Sequence, residues 1–296
     1  MTITIRPIDP VNRPDFAGEI DGIDLSCPTS GRDIAAVVEG MDRFAVLVFR
    51  GQHIDDEQQL AFSRHFGPLE QSLLGINRPQ ERGLAVEIAD ISNLGRNDEI
   101  LARDDRRRLF SLGNMLWHSD SSFKSTPAKY SLLHARTIPA KGGNTEFADM
   151  RAAYDALDDE TRQMCRDLVC MHSQIYSRGT LGFTEWTEEE RERNAPVPQR
   201  LVRRHPGSGR RSLFLSAHAG EIVGWPVPEA RAFLRDLNEH GTQRQFVYAH
   251  EWRRFDLVMW DNRAMMHRAR RYDANEVREL HRTTVADSAP TLQQAA

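Results

Sequence analysis

The spacing of apolar and polar positions changes along the chain, from mostly helical in the first two thirds to strand-like after residue 200. Apolar residues at helical intervals from residue 34 to residue 41 predict a helix with one buried face, and the apolar run Phe44–Phe49 predicts a buried strand. The capping-box pattern Asp55-Asp56-Glu57-Gln58 predicts that a second helix begins there. Asp55 would cap that helix, so its carboxylate is not expected to form a metal site with His53.

Further helices are predicted at Asp149–Leu157, at Glu160–Met171 and from Pro228 to Gly241, and the charged stretch Thr184–Asn194 is predicted to be an exposed lobe or lid. Strands are predicted at Arg211–Ser216, Gln245–His250, Leu257–Trp260 and Arg278–Thr284. No strand–helix alternation persists and no composition shift marks a boundary. The pattern therefore favours a mainly β fold with α insertions, a sandwich or barrel, as a single domain over residues 1–296.

The composition is that of an ordinary globular protein. Of its 296 residues, 40% are hydrophobic and 28% are charged, and the formal net charge is −4. No apolar run approaches the length of a membrane span, so no membrane association is expected. Cys27, Cys165 and Cys170 have no metal or disulfide spacing, which predicts a reduced, cytoplasmic protein. Arginine clusters leave nucleic-acid binding as an alternative, but the net negative charge favours ordinary surface arginines and no nucleic-acid partner.

A metal site is indicated by the triplet His118-Ser-Asp120. Residues two apart on a strand face the same side, so the imidazole and the carboxylate can reach one ion. His267, after the predicted strand Leu257–Trp260, is available as a third ligand. Two histidines and one carboxylate on one face of a metal suit non-haem Fe(II) oxygenases, and a zinc site with the same ligands stays open as an alternative.

Two arginines follow His267 on the last predicted strand. Alternation places Arg278, Leu280 and Arg282 on one face of that strand. Two inward guanidinium groups each require an anion, and arginine suits carboxylates. One site for each would accommodate two organic acids, whereas pairing with carboxylates of the protein is an equally open alternative.

Several motifs together resemble the taurine dioxygenase family of Fe(II)/2-oxoglutarate-dependent dioxygenases, in particular its 2,4-dichlorophenoxyacetate dioxygenase branch, from about residue 17 to residue 290. The motifs are Trp117-His118-Ser-Asp120, Gly142-Gly143-Asn-Thr145-Glu-Phe, Asp149-Met-Arg-Ala-Ala-Tyr154-Asp-Ala-Leu157, His205-Pro-Gly-Ser-Gly-Arg210, Trp260-Asp-Asn-Arg263 and the segment from His267 to Arg282. The resemblance implies a double-stranded β-helix (jelly roll, cupin-like) core flanked by helices.

The resemblance also implies roles for individual residues. His118, Asp120 and His267 would be the iron ligands. Thr145 and Arg278 would bind 2-oxoglutarate, and Arg282 and Asn114 would bind the substrate. The implied cofactors are Fe(II), 2-oxoglutarate as co-substrate and O₂, with ascorbate stimulating activity. A homo-oligomer is expected on the same ground.

The implied reaction is hydroxylation of an aryloxyalkanoic acid such as 2,4-dichlorophenoxyacetate next to the ether oxygen. The products would be a phenol, glyoxylate, succinate and CO₂, as in herbicide degradation. Leu73–Ile76, where relatives of that branch carry a lysine, and the lobe at about residues 175–200 would form the aryl pocket and its lid. Asn144 is a second departure from the family pattern. The alternatives are the same chemistry on taurine, another alkylsulfonate or a sulfate ester, and a non-catalytic binding protein.

Overall fold

The computed structural model describes residues 3–71 and 82–294, so the predicted pocket segment Leu73–Ile76 lies outside the described residues. The strands are β1 (Thr4–Asp9), β2 (Arg13–Asp21), β3 (Val46–Phe49), β4 (Ala89–Ser92), β5 (Ala128–Thr137), β6 (Thr145–Asp149), β7 (Val169–His172), β8 (Val197–Arg200), β9 (Val202–Arg204), β10 (Arg211–Leu213), β11 (Ala219–Ile222), β12 (Val247–His250), β13 (Leu257–Asp261), β14 (Met265–Ala269) and β15 (Glu279–Ala286). The helices are α1 (Gly31–Phe44), α2 (Asp56–Arg64), α3 (Arg106–Ser111), α4 (Met150–Asp155), α5 (Asp159–Cys165), α6 (Gln174–Gly179), α7 (Glu188–Arg193) and α8 (Val227–Gly241). A short 3₁₀ helix, Leu112–Met115, follows α3.

The largest sheet has seven strands in the order β1-β2-β3-β13-β5-β15-β4, and it is antiparallel except between β2 and β3. A three-stranded sheet, β12-β6-β14, carries the second half of the candidate site. Sheet β11-β7-β8 and the hairpin β9-β10 complete the described strands. The mainly β fold with helical insertions is confirmed. Among the described helices, none is long and apolar enough to cross a membrane.

Strand β3 explains why the run Phe44–Phe49 is apolar throughout. Val46 and Val48 face one core cluster, which contains Trp260 of β13 and Phe147 of β6 in the smaller sheet. Leu47 and Phe49 face the opposite cluster, where helix α1 packs. Because alternate side chains of a strand point to opposite faces, burial on both faces requires every position to be apolar.

Most predicted helices are present, and one prediction is wrong in part. Helices α1 and α2 are confirmed, and the capping box of α2 forms as expected between Asp55 and Gln58. The helix predicted over Glu160–Met171 ends at Cys165, and its second half is strand β7. Strand β7 lies between β11 and β8 and exchanges backbone hydrogen bonds with both. This tertiary pairing overrides a local spacing that is compatible with a helix.

Candidate metal centre and adjoining cavities

Backbone pairing brings His118 and His267 together across 149 positions of sequence. The N–H of His118 donates to the His267 carbonyl at 3.0 Å, and the N–H of His267 donates to the His118 carbonyl at 2.8 Å. His267 belongs to β14, and His118 follows the 3₁₀ helix Leu112–Met115. As a result the two imidazole rings lie side by side, with centroids 4.2 Å apart.

Asp120 completes the cluster. Its Oδ1 lies 3.8 Å from Nε2 of His118, and its Oδ2 lies 3.7 Å from Nε2 of His267. One atom from each of the three residues lies within 4.8 Å of the others, and all three residues are buried. Nδ1 of His118 is 2.7 Å from the Leu116 carbonyl oxygen, which places the ring proton on Nδ1 and leaves the Nε2 lone pair facing the centre.

A hydrogen-bonded network orients the Asp120 carboxylate. Ser131 Oγ donates to Oδ2 at 2.7 Å, and Asn262 Nδ2 donates to that hydroxyl at 3.0 Å. Oδ1 of Asn262 accepts from the Asp120 backbone N–H at 3.0 Å and from the Trp260 indole at 3.1 Å. Sequence reasoning assigned no role to Ser131 or Asn262, although the motif Trp260-Asp-Asn-Arg263 contains the asparagine.

The electrostatics of the cluster suit a divalent cation. Burial alone would raise the pKa of Asp120, but the positive charge of Arg282 opposes this effect, and the pKa of Asp120 is held well below its usual range. Burial is the main cause that lowers the pKa of both His118 and His267. Neutral imidazoles and an ionised carboxylate are the protonation states in which these side chains bind metals.

Two cavities meet at this cluster. The smaller cavity, of about 450 Å³, contains Asp120 in its wall, and the larger cavity, of about 1080 Å³, contains His267. Asn114, His118 and Arg282 line both cavities. A bound metal would therefore face two separate spaces, which suits a centre that holds two organic molecules at once.

The larger cavity contains a buried arginine that no acidic side chain of the described residues pairs. Arg278 is 5% exposed, and its Nη2 donates to the Gly143 carbonyl at 3.2 Å. Burial lowers the pKa of Arg278 to about 10. Thr145 lies in the same wall, and its Oγ1 accepts a hydrogen bond from the Trp252 indole at 3.0 Å. An unpaired buried guanidinium beside a hydroxyl favours a carboxylate ligand here.

The Gly142-Gly143 motif shapes this end of the larger cavity. Both glycines have positive φ, 76° and 69°. A Cβ on Gly142 would lie 2.5 Å from the Arg271 carbonyl oxygen, and one on Gly143 would lie 3.2 Å from Nε of Arg278. The two glycines therefore permit both the turn and the close approach of the backbone to Arg278.

The smaller cavity is lined by aromatic side chains that the sequence did not single out. Phe110 of α3 and Trp186, which precedes α7, lie in its wall with Phe123 and His218. The Phe110 and Trp186 rings are 5.9 Å apart, and both contact Phe183. Trp186 thus adds aromatic surface from the stretch Thr184–Asn194 to the wall of this cavity. The sequence signal was the position of Trp186 within the charged stretch Thr184–Asn194.

Three further buried histidines have different surroundings: two are structural and one lines a cavity. His205 bonds to Asp261 at 2.8 Å, and the imidazole of His172 is stacked on Phe214 with the ring centroids 5.7 Å apart. His218, to which the sequence assigned no role, lines the smaller cavity, and its Nδ1 is 2.8 Å from Ser177 Oγ. The structure thus adds His218 to the residues that surround the candidate metal centre.

The sequence profile of the "Taurine catabolism dioxygenase TauD, TfdA family" matches residues 4–284. The chain belongs to this family. It is 45% identical over 289 residues to the alpha-ketoglutarate-dependent 2,4-dichlorophenoxyacetate dioxygenase of Cupriavidus pinatubonensis, covering 98% of this chain and 99% of that one. It is 37% identical to the (S)-phenoxypropionate/alpha-ketoglutarate-dioxygenase of Sphingobium herbicidovorans, covering 82% of each chain. The family resemblance stated from the motifs is confirmed.

A solved structure gives the same result. The crystal structure of AAD-2 in complex with Mn(II) and N-oxalylglycine matches with a TM-score of 0.90 and 54% sequence identity. The match covers 99% of this chain and 100% of that chain. The likeness therefore extends over the whole fold and includes the segments that carry the candidate metal centre.

Proposed function

We propose that this dioxygenase uses Fe(II), 2-oxoglutarate and O₂ to hydroxylate an aryloxyalkanoic acid, such as 2,4-dichlorophenoxyacetate, at the carbon next to the ether oxygen. The observation that carries the proposal is the buried triad His118, Asp120 and His267 at the junction of two cavities, with Arg282 at the junction and Arg278 in the larger cavity. The substrate class rests on the relatives named above, since they act on phenoxy acids by name.

The triad fits a metal of this kind. Two neutral imidazole nitrogens and one carboxylate oxygen converge within 4.8 Å, and three ligands on one side leave positions for small molecules. When bound there, Fe(II) supplies the activation of O₂ and the oxidation of an unreactive C–H bond. Ser131 and Asn262 keep the carboxylate in its binding orientation through the hydrogen bonds described above.

In this proposal the larger cavity binds 2-oxoglutarate. Arg278 and Thr145 would hold the carboxylate that is remote from the metal, because both lie in the wall of that cavity and the guanidinium lacks a partner carboxylate among the described residues. The keto acid would then reach the triad through the junction at His118. Its conversion to succinate and CO₂ accounts for one oxygen atom of O₂.

The smaller cavity would bind the aryloxy acid. Phe110, Phe123 and Trp186 provide aromatic surface for the ring, while Asn114 and Arg282 at the junction are the predicted contacts of its polar end. The second oxygen atom of O₂ replaces a hydrogen at the carbon next to the ether oxygen with a hydroxyl group. The resulting hemiacetal collapses to a phenol and glyoxylate, and this step needs no general base from the protein.

The proposal has three further parts that rest on the family resemblance. The large sheet and the sheet β12-β6-β14 would form a double-stranded β-helix, and residues 1–296 would form one domain with the lobe at about residues 175–200 as an insertion. The enzyme would be a cytoplasmic homo-oligomer. Ascorbate would stimulate it by keeping the iron reduced.

The test is an anaerobic visible spectrum of the purified protein with Fe(II) and 2-oxoglutarate, before and after addition of 2,4-dichlorophenoxyacetate. We expect a weak charge-transfer band that shifts when the acid is added, and succinate formation that depends on the acid in air. Succinate formation with taurine instead would move the proposal to sulfonates. Absence of the band in folded, iron-loaded protein would contradict the dioxygenase mechanism.

A further inference from the structure

A second buried arginine, which forms no ion pair among the described residues, lies in the wall of the smaller cavity. Arg178 of α6 is 5% exposed, and burial lowers its pKa to about 10. In the part of the chain that the structure describes, the one hydrogen bond of its guanidinium is a 3.4 Å contact from Nη1 to Ser177 Oγ. Its buried Nε has no partner there. Such a cation is costly unless an anion joins it.

The other cations in the wall of this cavity are paired among the described residues. Lys124 Nζ lies 2.5 Å from Glu70, Arg193 lies 2.7 Å from Glu189, and Arg282 lies 2.6 Å from Asp120. Arg178 forms no ion pair within those residues. Within the described part of the cavity wall, Arg178 is therefore the cation that can bind an anionic ligand without breaking an ion pair.

The surroundings of Arg178 hold the guanidinium in place and leave most of its N–H groups without a partner among the described residues. Its Cζ lies 4.6 Å from the centroid of the Phe110 ring. The backbone of Gly113 is so close that a Cβ there would lie 2.0 Å from Cζ. Ser177 Oγ connects the guanidinium to Nδ1 of His218. Arg178 and the candidate metal ligand His118 line the same cavity.

We propose that Arg178 binds the carboxylate of the aryloxy acid and, together with Arg282, sets the preference of the smaller cavity for anionic substrates. This inference rests on the proposed function and deepens it. Arg282 already donates to Asp120, whereas Arg178 donates to no carboxylate of the described residues, and the N–H groups of its guanidinium form a fork that matches a carboxylate. The 2-oxoglutarate carboxylate would bind a different arginine, because Arg278 lines the larger cavity.

The test compares 2,4-dichlorophenoxyacetate with its neutral primary amide as ligands of the Fe(II) and 2-oxoglutarate complex. Apparent dissociation constants come from the shift of the anaerobic charge-transfer band. The variants are Arg178→Gln, Arg178→Lys and Gly113→Ala, and the last displaces the guanidinium without removing it. Arg235→Gln on the exposed face of α8 is the matched control.

We expect Arg178→Gln to weaken binding of the acid by about 10- to 100-fold, the range for a charge-assisted hydrogen bond, with little effect on the amide. Gly113→Ala should act in the same direction, and Arg178→Lys should restore part of the affinity. The 2-oxoglutarate band itself should form normally in every variant. If Arg178→Gln does not fold, the contrast between acid and amide in Gly113→Ala decides.

Two results would overturn the inference, and they are distinguishable. Equal loss of acid and amide binding, or no loss of either, in folded variants would mean that Arg178 does not recognise the charge, while the proposed function stands. A wild-type band that responds to no aryloxy acid would overturn the proposed function and the inference with it.

Discussion

Arg282 donates from Nη1 to Oδ1 of Asp120 at 2.6 Å, and that oxygen is also the one nearest to His118. The candidate metal carboxylate is thus shared between a cation of the substrate cavity and the place where a metal would bind. The Arg282 side chain is 21% exposed, so it can interact with a ligand at the junction while its charge stabilises the ionised Asp120.

Substitution Arg282→Gln should separate the two roles of this arginine. Without the cation, the pKa of Asp120 rises, and Mn²⁺ bound to the triad no longer meets a nearby positive charge. We expect Mn²⁺ binding at pH 7 to be retained, while KM for the aryloxy acid increases by at least about tenfold because a charge-assisted contact is lost. Electron paramagnetic resonance measures the binding of Mn²⁺, and the rate of succinate formation at varied concentrations of the aryloxy acid gives KM. Loss of Mn²⁺ binding would instead assign Arg282 to the metal centre alone.

Substitution Arg278→Gln should affect the co-substrate selectively. The larger cavity is the one that we assign to 2-oxoglutarate, and the buried guanidinium of Arg278 is its proposed carboxylate contact. Loss of this guanidinium should therefore raise KM for 2-oxoglutarate by about 10- to 100-fold. KM for the aryloxy acid should change little, because that acid is assigned to the smaller cavity. Steady-state kinetics with each compound varied in turn measures both values. An equal rise in both KM values would contradict the separation of the two cavities.

Substitution Ser131→Ala tests the network behind the metal centre. Oδ2 of Asp120 would lose its 2.7 Å hydrogen bond, and Asn262 Nδ2 would lose its acceptor. Loss of a hydrogen bond that orients a metal ligand typically costs 10- to 100-fold in metal affinity, so we expect a decrease of about that size. Calorimetric titration with Mn²⁺ provides the measurement. Unchanged affinity in Ser131→Ala would show that Asp120 is oriented without this network.

Substitution His172→Phe should make the protein more resistant to acid. Burial lowers the pKa of His172 to about 3, and neither ring nitrogen has a partner in the described structure. In the unfolded chain, His172 binds a proton near pH 6.5. The free energy of unfolding therefore has its full value above pH 6.5 and decreases as the pH falls toward 3. For one such histidine, the free energy of unfolding decreases by about 2 kcal/mol between pH 6.5 and pH 5.

Phenylalanine keeps the stacking on Phe214 and has no proton to bind. Thermal unfolding at pH 7.5 and pH 5 therefore should show a smaller decrease in melting temperature for His172→Phe than for the wild type. The comparison of the two pH values separates this effect from any packing change, which would act equally at both. The same decrease in both proteins would mean that His172 is protonated in the folded state.

Local chemistry in the sequence was sufficient for much of the site. The spacing of His118 and Asp120 keeps an imidazole and a carboxylate close along the chain, although the structure places them at an isolated bridge and in a turn rather than on a regular strand. Arg278 directly precedes β15 and Arg282 lies within it, close to the predicted strand. The capping box between Asp55 and Gln58 was predictable because it depends only on residues three apart.

Long-range packing decided the rest. The pairing of His118 with His267 is an isolated bridge between two chain segments that meet only in the folded chain. Strand β7 is a strand because β8 and β11 lie on either side of it. Arg178 carries no sequence motif, and its importance comes from burial without a counter-charge among the described residues. The sequence determined which side chains are available and their local spacing, whereas burial and the placement of charges arise only when distant segments pack together.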